Sequence, residues 1–305
     1  MAQKSYEARV ALLVRVLPHV AREEVFALKG GTAINLFYRD LPRLSVDIDL
    51  AYLPIKGRAE SLVEINEAMD RIAIAIEDGI SGARTERILG GGGSTTRVLA
   101  RLDGSEIKIE TSPVARGVVH APEVLSVSDT VEEEFGYAEM QIVSFEDLFG
   151  GKLHAALDRQ HPRDLYDIKL LYENEGLTDG LFRTFLIYVA SSSRPTHELL
   201  NPNLIDLGPS YTREFQGMTK SPASLSELQN VRKRLITDIQ TRLDDDTKRF
   251  LLGLHDGTPD FAAINRPQAA SLPAVRWKLV NLEKLKKENA IKHSMQRGEL
   301  EALLV

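Results

Sequence analysis

The spacing of apolar residues predicts both helices and strands in the first half of the chain. Apolar side chains recur at helical spacing over residues 6–17, and residues 25–28 form a short apolar run typical of a buried strand. Residues 58–78 predict an amphipathic helix, because apolar positions every three or four residues line one side of it. Two alternating runs, residues 97–102 and 106–111, flank an Asp-Gly pair and therefore predict a β-hairpin.

The second half of the chain has a helical pattern. From about residue 144, apolar positions predict a helix that runs through Gly150, Gly151 and Lys152. Two glycines inside a helix cost about 2 kcal/mol relative to alanine, so we expect another part of the protein to approach that surface closely. Pro162 suits the first turn of the next predicted helix.

These patterns predict an α+β protein whose C-terminal region is mainly helical. Its predicted parts are an α+β core over residues 1–143, a helical segment over residues 144–200 and a helical domain over residues 201–305. With 305 residues and 43% hydrophobic content, the chain is long enough to form more than one buried core.

The composition excludes several classes of protein. The sequence contains no cysteine, which excludes disulfides and thiolate metal sites, and it shows neither a signal peptide nor a long apolar run. We therefore expect a cytoplasmic protein without a membrane-spanning segment. The net charge of −6 argues against nonspecific coating of nucleic acid, although residues 201–305 carry 16 Lys and Arg against 13 Asp and Glu.

Two aspartates two positions apart give the strongest chemical signal in the chain. If residues 45–50 form a strand, its apolar side chains point to one face, and Asp47 and Asp49 point to the other. A Gly-Gly-Thr turn precedes this strand, and Thr32 is predicted to cap the following helix, so that backbone N–H groups point outwards there. Hard divalent cations prefer carboxylate oxygens and leave positions open for phosphate oxygens, so these residues predict a Mg²⁺ site beside a phosphate-binding turn.

The candidate residues fit nucleotidyl transfer as a set. This reaction needs carboxylates that hold metal ions, a turn that admits a triphosphate, and a cation that neutralises the leaving pyrophosphate. Asp47, Asp49 and Glu110 supply the carboxylates, the glycine turn supplies the second requirement, and Lys152 is the candidate cation, since no residue of the predicted sheet is an obvious one. Each feature alone also has an ordinary explanation, such as a solvated strand face or a surface lysine.

Asp164 and Asp167 lie three residues apart in the helix that is predicted to begin at Pro162, so they share one side of it. They are candidates to orient Lys152 or to contact a nucleotide. The spacing alone does not separate these roles from an ordinary solvated helix face.

Five stretches of the chain follow one another in an informative order. They are residues 29–50 (KGGTAINLFYRDLPRLSVDIDL), 107–111 (IKIET), 145–152 (FEDLFGGK), 163–167 (RDLYD) and 272–279 (LPAVRWKL). The first four resemble the motifs of the AbiEii/AbiGii family, the nucleotidyltransferase-like toxins of bacterial toxin–antitoxin systems, and the fifth is similar to members of that group. The ordered set covers most of the chain and is more specific than any single motif.

The resemblance implies a DNA-polymerase-β-like nucleotidyltransferase core with a mixed sheet over residues 1–143. Residues 144–200 would complete the active site, and residues 201–305 would form a helical C-terminal domain. The implied activity is the transfer of nucleotide from an NTP to an RNA acceptor, expected to be the 3′ end of tRNA, with Mg²⁺ or Mn²⁺ as cofactor. The implied partner is a separately encoded antitoxin.

On this resemblance we assign Asp47 and Asp49 to metal binding. Glu110 either completes the metal site or acts as the base for the attacking hydroxyl, and the family often has Asp at this position. The residues assigned to the triphosphate are Gly30, Gly31, Thr32, Ser45 and Lys152. Asp164 and Asp167 complete the catalytic set.

Other functions remain open on the sequence. A metal-dependent ribonuclease needs similar carboxylates and a lysine, and a noncatalytic nucleotide-binding partner protein would keep the fold without turnover; the intact Asp47 and Asp49 pair counts against the second. An RNA acceptor is expected to contact the basic residues 232–234 and 276–292, with Trp277 as a stacking platform. These residues fit solvated faces of amphipathic helices equally well.

Overall fold

The computed structural model divides the chain into two compact units, Met1–Ser144 and Phe145–Val305. It describes residues 2–90 and 95–304, so the greater part of a glycine run at 90–93, to which we assign no role, lies outside the described residues. The boundary falls one residue after the predicted end of the α+β core. Apart from Ser144, the predicted helical parts 144–200 and 201–305 both lie in the second unit.

The first unit is built on one mixed sheet, which has seven strands within the described residues. The strands are β1 (Phe26–Lys29), β2 (Asp47–Tyr52), β3 (Arg84–Leu89), β4 (Thr95–Leu102), β5 (Ser105–Thr111), β6 (Glu123–Ser126) and β7 (Glu139–Ile142). Their order in the sheet is β3-β4-β5-β2-β1-β7-β6. The β2–β5 and β1–β7 pairs are parallel and the other pairs are antiparallel, which confirms the predicted α+β class.

Helices cover this sheet and complete its core. They are α1 (Ala2–Val20), α2 (Gly30–Ala33), which a π-helical turn (Ile34–Tyr38) continues, α3 (Arg58–Gly79) and α4 (Asp129–Phe135). Contacts join α1 and α3 to the strands, and Leu13 of α1, Ile72 of α3 and Ile48 of β2 are all fully buried. Each such side chain contributes about 2 kcal/mol to folding, so this core fixes the register of the central strands.

The predicted hairpin is confirmed. β4 and β5 pair with Leu102 opposite Ser105, and the turn residues Asp103 and Gly104 have φ angles of 49° and 80°. Two positive φ angles give a turn whose twist matches that of the flanking strands, which is why Asp-Gly favours a two-residue hairpin. The hairpin carries Glu110 into the sheet beside β2.

Within its described residues, the regular secondary structure of the second unit is helical apart from one isolated β-bridge residue, Thr219. Its helices are α5 (Phe145–Asp158), α6 (Pro162–Asn174), α7 (Asp179–Ala190), α8 (Thr196–Leu200), α9 (Gly208–Glu214), α10 (Leu225–Thr241), α11 (Asp245–Asp256), α12 (Pro273–Glu288) and α13 (Ala290–Leu304), with a 3₁₀ turn at Pro267–Ser271. Pro162 occupies the first turn of α6 as predicted, and the His161 side chain caps that helix by accepting a hydrogen bond from the Arg163 amide. In the described part of the chain, no helix is long and apolar enough to cross a membrane.

The glycine pair inside α5 is explained by a close aromatic neighbour. A Cβ atom at Gly150 or at Gly151 would lie 3.2 Å from ring atoms of Tyr188 in α7. The Tyr188 hydroxyl donates a hydrogen bond of 3.0 Å to Asp147. Burial, together with the Asp147 charge, raises the pKa of Tyr188 well above its usual value, so the phenol keeps its proton. The predicted close approach to this surface is therefore confirmed.

Two basic residues of the C-terminal region belong to the interior. Arg232 donates hydrogen bonds of 2.8 Å to the Gln160 side chain and to the Ile205 carbonyl. Lys278 donates a hydrogen bond of 2.6 Å to the Arg194 carbonyl, and burial lowers its pKa to about 8. Both were predicted on a basic surface, and their burial corrects that prediction, whereas Trp277 is 58% exposed.

Candidate active site

The predicted carboxylates of the first unit share one face of the sheet. Asp47 and Asp49 are the first and third residues of β2, and Ile48 and Leu50 are fully buried on the opposite face. Glu110 of β5 lies beside Asp49 in the parallel register. Side chains of laterally paired residues point to the same face, so the three carboxylates are neighbours, as their spacing predicts.

Three basic residues share this face with the carboxylates. Lys29 is opposite Asp49 in the β1–β2 pair, and Arg97 is opposite Glu110 in the β4–β5 pair. Lys108 precedes Glu110 by two residues on β5 and therefore points the same way. No basic residue of the sheet was predicted from the sequence to act at the site. The two-residue spacing of Lys108 and Glu110 was enough to predict that Lys108 lies on this face. Lys29 and Arg97 can be placed there only once the order of the strands is known.

Both oxygens of Glu110 are bound by basic side chains. Lys108 Nζ lies 3.0 Å from Glu110 Oε1, and Arg97 Nε lies 3.1 Å from Glu110 Oε2. Lys108 Nζ is also 3.8 Å from Asp47 Oδ2. Burial alone would raise the pKa of Glu110, but the hydrogen bonds and charges of Lys108 and Arg97 outweigh it and hold the pKa below its usual value. Glu110 is therefore ionised at neutral pH.

The pKa of Asp49 is shifted in the opposite direction to that of Glu110. Burial raises the pKa of Asp49, and although the charge of Lys29 opposes this effect, the negative charges of Glu110 and Asp47 add to it. The ionised form of Asp49 is therefore costly in the free protein. A divalent cation beside this carboxylate would remove that cost.

The donor chemistry of this face fits a divalent cation, although the side chains are not preformed around one. Among the residues that the structure describes, no group of three His, Cys, Asp or Glu side chains is arranged to hold a metal ion. Asp47 and Asp49 offer carboxylate oxygens on one face, which is the ligand type that Mg²⁺ and Mn²⁺ prefer. Glu110 would join them only if Lys108 or Arg97 released one of its oxygens.

The glycine turn lies directly against these residues. Gly30 has a φ of 78°, and a Cβ atom there would lie 2.7 Å from Asp49 Oδ2. A Cβ atom at Gly31 would lie 2.6 Å from Arg43 Nη2 and 2.7 Å from Ser45 Oγ. Both glycines therefore allow polar side chains to approach the backbone of the turn. Arg43, a buried residue to which the sequence analysis assigned no role, is part of this arrangement.

Thr32 does not cap α2, which corrects the prediction made from the sequence. Because α2 begins at Gly30, immediately after β1, Thr32 lies inside the helix, and its hydroxyl donates a hydrogen bond to the Asp47 carbonyl. The same hydroxyl is 3.2 Å from Ser45 Oγ, and the Asn35 side chain donates a 2.6 Å hydrogen bond to the Gly31 carbonyl. The two Thr32 contacts tie the glycine turn to the start of β2 and so position Asp47.

Alanine at Gly30 is expected to destabilise the protein by about 2 kcal/mol, because a Cβ is unfavourable at positive φ and would collide with Asp49. Displacement of Asp49 by about 1 Å is expected to lower the activity of this site by about 100-fold. Gly57→Ala is the matched control, since Gly57 has a φ of −56° and nothing lies within 4 Å of its Cβ position. Urea unfolding and initial rates would check both effects; equal behaviour of the two variants would show that the turn is not constrained.

The second unit brings together the three remaining predicted residues. Lys152 Nζ lies 3.0 Å from Asp164 Oδ1 and 2.9 Å from Asp167 Oδ2, and all three side chains are almost completely buried. Arg159 Nη2 also contacts Asp164 at 2.9 Å. The two aspartates were candidates either to orient Lys152 or to contact a nucleotide. Their contacts with the Lys152 amine support the first role.

The corner between α5 and α6 sets this geometry. Gln160 adopts a φ of 50° at the corner, and its side-chain oxygen accepts a 2.8 Å hydrogen bond from Arg232. Its side-chain amide donates a 2.7 Å hydrogen bond to the Asn203 carbonyl. These buried polar contacts hold the start of α6 opposite Lys152.

The mixed sheet of the first unit, with paired aspartates beside a glycine turn, is the arrangement expected of a nucleotidyltransferase core. The chain belongs to the AbiEii family of nucleotidyltransferase toxins from type IV toxin–antitoxin systems, whose model matches residues 11–281. Membership implies a separate antitoxin.

A solved structure gives the same indication about the fold. The chain is similar to MenT4, a nucleotidyltransferase toxin from Mycobacterium tuberculosis H37Rv, with a TM-score of 0.59 and 17% sequence identity. The match covers 91% of this chain and 92% of MenT4. At this level of identity the likeness is evidence for the fold alone. No curated protein matches the chain in sequence.

Proposed function

We propose that this toxin transfers a nucleotide from an NTP to an RNA acceptor, the 3′ end of tRNA, with Mg²⁺ or Mn²⁺ bound by Asp47 and Asp49. The observation that carries the proposal is the position of these two carboxylates on one face of β2, directly against the Gly30 turn. In the reaction, a hydroxyl oxygen of the acceptor bonds to the α-phosphorus of the NTP. The bond from that phosphorus to the β-phosphate breaks, pyrophosphate leaves, and the hydroxyl proton passes to solvent or to a base.

The residues of the first unit have distinct roles in this proposal. When bound, the divalent ion supplies positive charge to the triphosphate and lowers the pKa of the attacking hydroxyl. Asp47 and Asp49 hold it, and Thr32 keeps Asp47 in place through the Asp47 carbonyl. The lowered pKa of Glu110 makes it a weak base near neutral pH, so we assign it to the metal rather than to the proton.

The triphosphate is assigned to the glycine turn and to Ser45. Gly30 and Gly31 carry no side chains, so polar groups such as those of Arg43 and Ser45 can approach the backbone of the turn. Ser45 Oγ lies 2.7 Å from the Cβ position of Gly31, and it can donate a hydrogen bond to a phosphate oxygen that lies on the turn.

Lys152 is assigned to the phosphate charge. Its amine is ordered by Asp164 and Asp167, which fix its position in the second unit. The Lys152 side chain is 7% exposed and its amine is already paired with two carboxylates, so its assignment to the leaving pyrophosphate rests on the family resemblance of residues 145–152 and not on a contact in the structure.

Labelled nucleotides test this function. The full-length protein is incubated with each α-labelled NTP in turn, Mg²⁺ and total RNA, and the RNA is analysed by electrophoresis. We expect label in RNA of tRNA size with at least one NTP, and loss of that label with Asp47→Ala. Asp78→Ala is the matched control, because Asp78 is an exposed carboxylate of α3.

The same gel separates the competing functions. Shortened RNA without label would indicate a ribonuclease. Bound NTP without any labelled product would indicate a noncatalytic nucleotide-binding protein. Equal labelling by the wild type and by Asp47→Ala would remove Asp47 from the chemistry.

A further inference from the structure

We infer that the amine of Lys108 is a built-in counter-cation, which occupies the space between Asp47 and Glu110 that a divalent ion takes when it binds. Metal binding then requires the displacement of this amine, and this role of Lys108 rests on the metal site of the proposed function. Lys108 thereby sets the metal affinity of the site without being a ligand.

The contacts of Lys108 place its charge between two of the carboxylates. Its Nζ lies 3.0 Å from Glu110 Oε1 and 3.8 Å from Asp47 Oδ2. Glu110 and Asp47 belong to neighbouring strands, so the amine bridges β5 and β2. A cation that lies between two carboxylates competes with any other cation for the same oxygens.

The backbone at Lys108 is fixed, whereas its side chain can move. Its neighbours Ile107 and Ile109 are 1% and 0% exposed, and Lys108 is paired in register with Asp47. The Lys108 side chain is 31% exposed, and a lysine has a flexible four-carbon stem. The amine can therefore leave the carboxylates for solvent without a change in the sheet.

The charge balance of the face also favours displacement of the amine. Three carboxylates, those of Asp47, Asp49 and Glu110, are balanced by the basic groups of Lys29, Lys108 and Arg97. A divalent ion that enters this balanced face is repelled by the amine nearest to its ligands.

Metal binding to variants of the full-length protein tests this role with a readout other than activity. Mn²⁺ affinity is measured by electron paramagnetic resonance for the wild type, Lys108→Met and Lys108→Gln. We expect about tenfold tighter Mn²⁺ binding by both variants, since a charge close to the ion is removed from a partly screened site. We also expect a lower metal-free Tm and a larger rise of Tm with Mn²⁺.

Two matched variants show whether the Lys108 amine itself occupies the position of the metal ion or whether any loss of positive charge nearby has the same effect. Arg101→Met removes another ion-paired cation of the same hairpin, in contact with Glu106 and Glu86, and is expected to leave Mn²⁺ affinity unchanged. Lys29→Met removes one charge that acts on Asp49 from β1, and is expected to tighten binding less than Lys108→Met.

Each outcome decides a different point. Unchanged Mn²⁺ affinity in both Lys108 variants, with binding lost in Asp47→Asn, would overturn the role of Lys108 and leave the proposed metal site standing. If Lys29→Met and Lys108→Met raised the Mn²⁺ affinity equally, the effect would come from the general charge of the face. The Lys108 amine would then not compete for the position of the metal ion. Absence of Mn²⁺ binding in the wild type and in the Lys108 variants would overturn the metal site itself.

Discussion

Asp49→Asn is expected to reduce nucleotide transfer by about 1,000-fold, because a bound metal ion supplies several kcal/mol of transition-state stabilisation and each 1.4 kcal/mol is tenfold in rate. The same substitution is expected to raise the free energy of unfolding. Burial raises the pKa of Asp49, so its ionised form is less favourable in the folded state than in the unfolded state. An amide of the same shape removes this cost together with the metal ligand.

The sign of the pH dependence follows from the direction of this pKa shift. A carboxyl with a raised pKa binds its proton more tightly in the folded state, so its contribution to stability is present at acidic pH and is lost as pH rises through the folded pKa. The stability gained by Asp49→Asn should therefore be largest near neutral pH and should disappear in acid.

Urea unfolding at several pH values and initial rates with labelled NTP measure both effects. Asp78→Asn, an exposed carboxylate of α3, should change neither. A stable Asp49→Asn protein with wild-type transfer would show that this carboxylate has no catalytic part.

Lys152→Met is expected to lower the free energy of unfolding by about 3–5 kcal/mol, because it removes the cation that joins the buried carboxylates of Asp164 and Asp167. Lys152 contacts Asp164 at 3.0 Å and Asp167 at 2.9 Å, and the side chains of the two aspartates are 4% and 0% exposed. The double variant Lys152→Met/Asp167→Asn should recover part of the loss, since it removes one of the buried charges.

Lys169→Met is the matched control for this loss. Lys169 belongs to the same helix, α6, as the two aspartates, and it pairs with Glu173 at 2.6 Å, where Glu173 is 52% exposed. A solvent-exposed pair of this kind is worth about 1 kcal/mol or less, so Lys169→Met should unfold at nearly the wild-type urea concentration. A loss in Lys152→Met no larger than that in Lys169→Met would contradict a structural role for the buried pair.

Local patterns in the sequence were sufficient to predict much of the fold. The alternation around Asp47 and Asp49, the Asp-Gly hairpin and the proline at the start of α6 each depend on a few adjacent residues whose conformational preferences are strong. The close approach to Gly150 was also predictable, because glycine in a helix has a cost that packing must offset.

Features that depend on strand order and on burial were not predictable in the same way. Lys29 and Arg97 join the carboxylates only because β1 and β4 flank the β2–β5 pair. Arg232 and Lys278 have the local pattern of solvated basic residues, yet both are buried, where they donate hydrogen bonds to carbonyls that are distant in the sequence. Thr32 had the pattern of a helix cap, but the helix begins two residues earlier and its hydroxyl bonds to Asp47 instead.

We propose that the Asp47 and Asp49 face of β2 holds the divalent ion of a nucleotidyl transfer reaction. A crystal structure of the full-length protein with Mn²⁺ and a nonhydrolysable NTP, recorded with anomalous scattering, tests it most directly. The account predicts a manganese peak about 2.0–2.6 Å from carboxylate oxygens of Asp47 and Asp49, with the triphosphate against the Gly30 turn. A nucleotide-associated manganese peak that contacts neither aspartate would contradict the account.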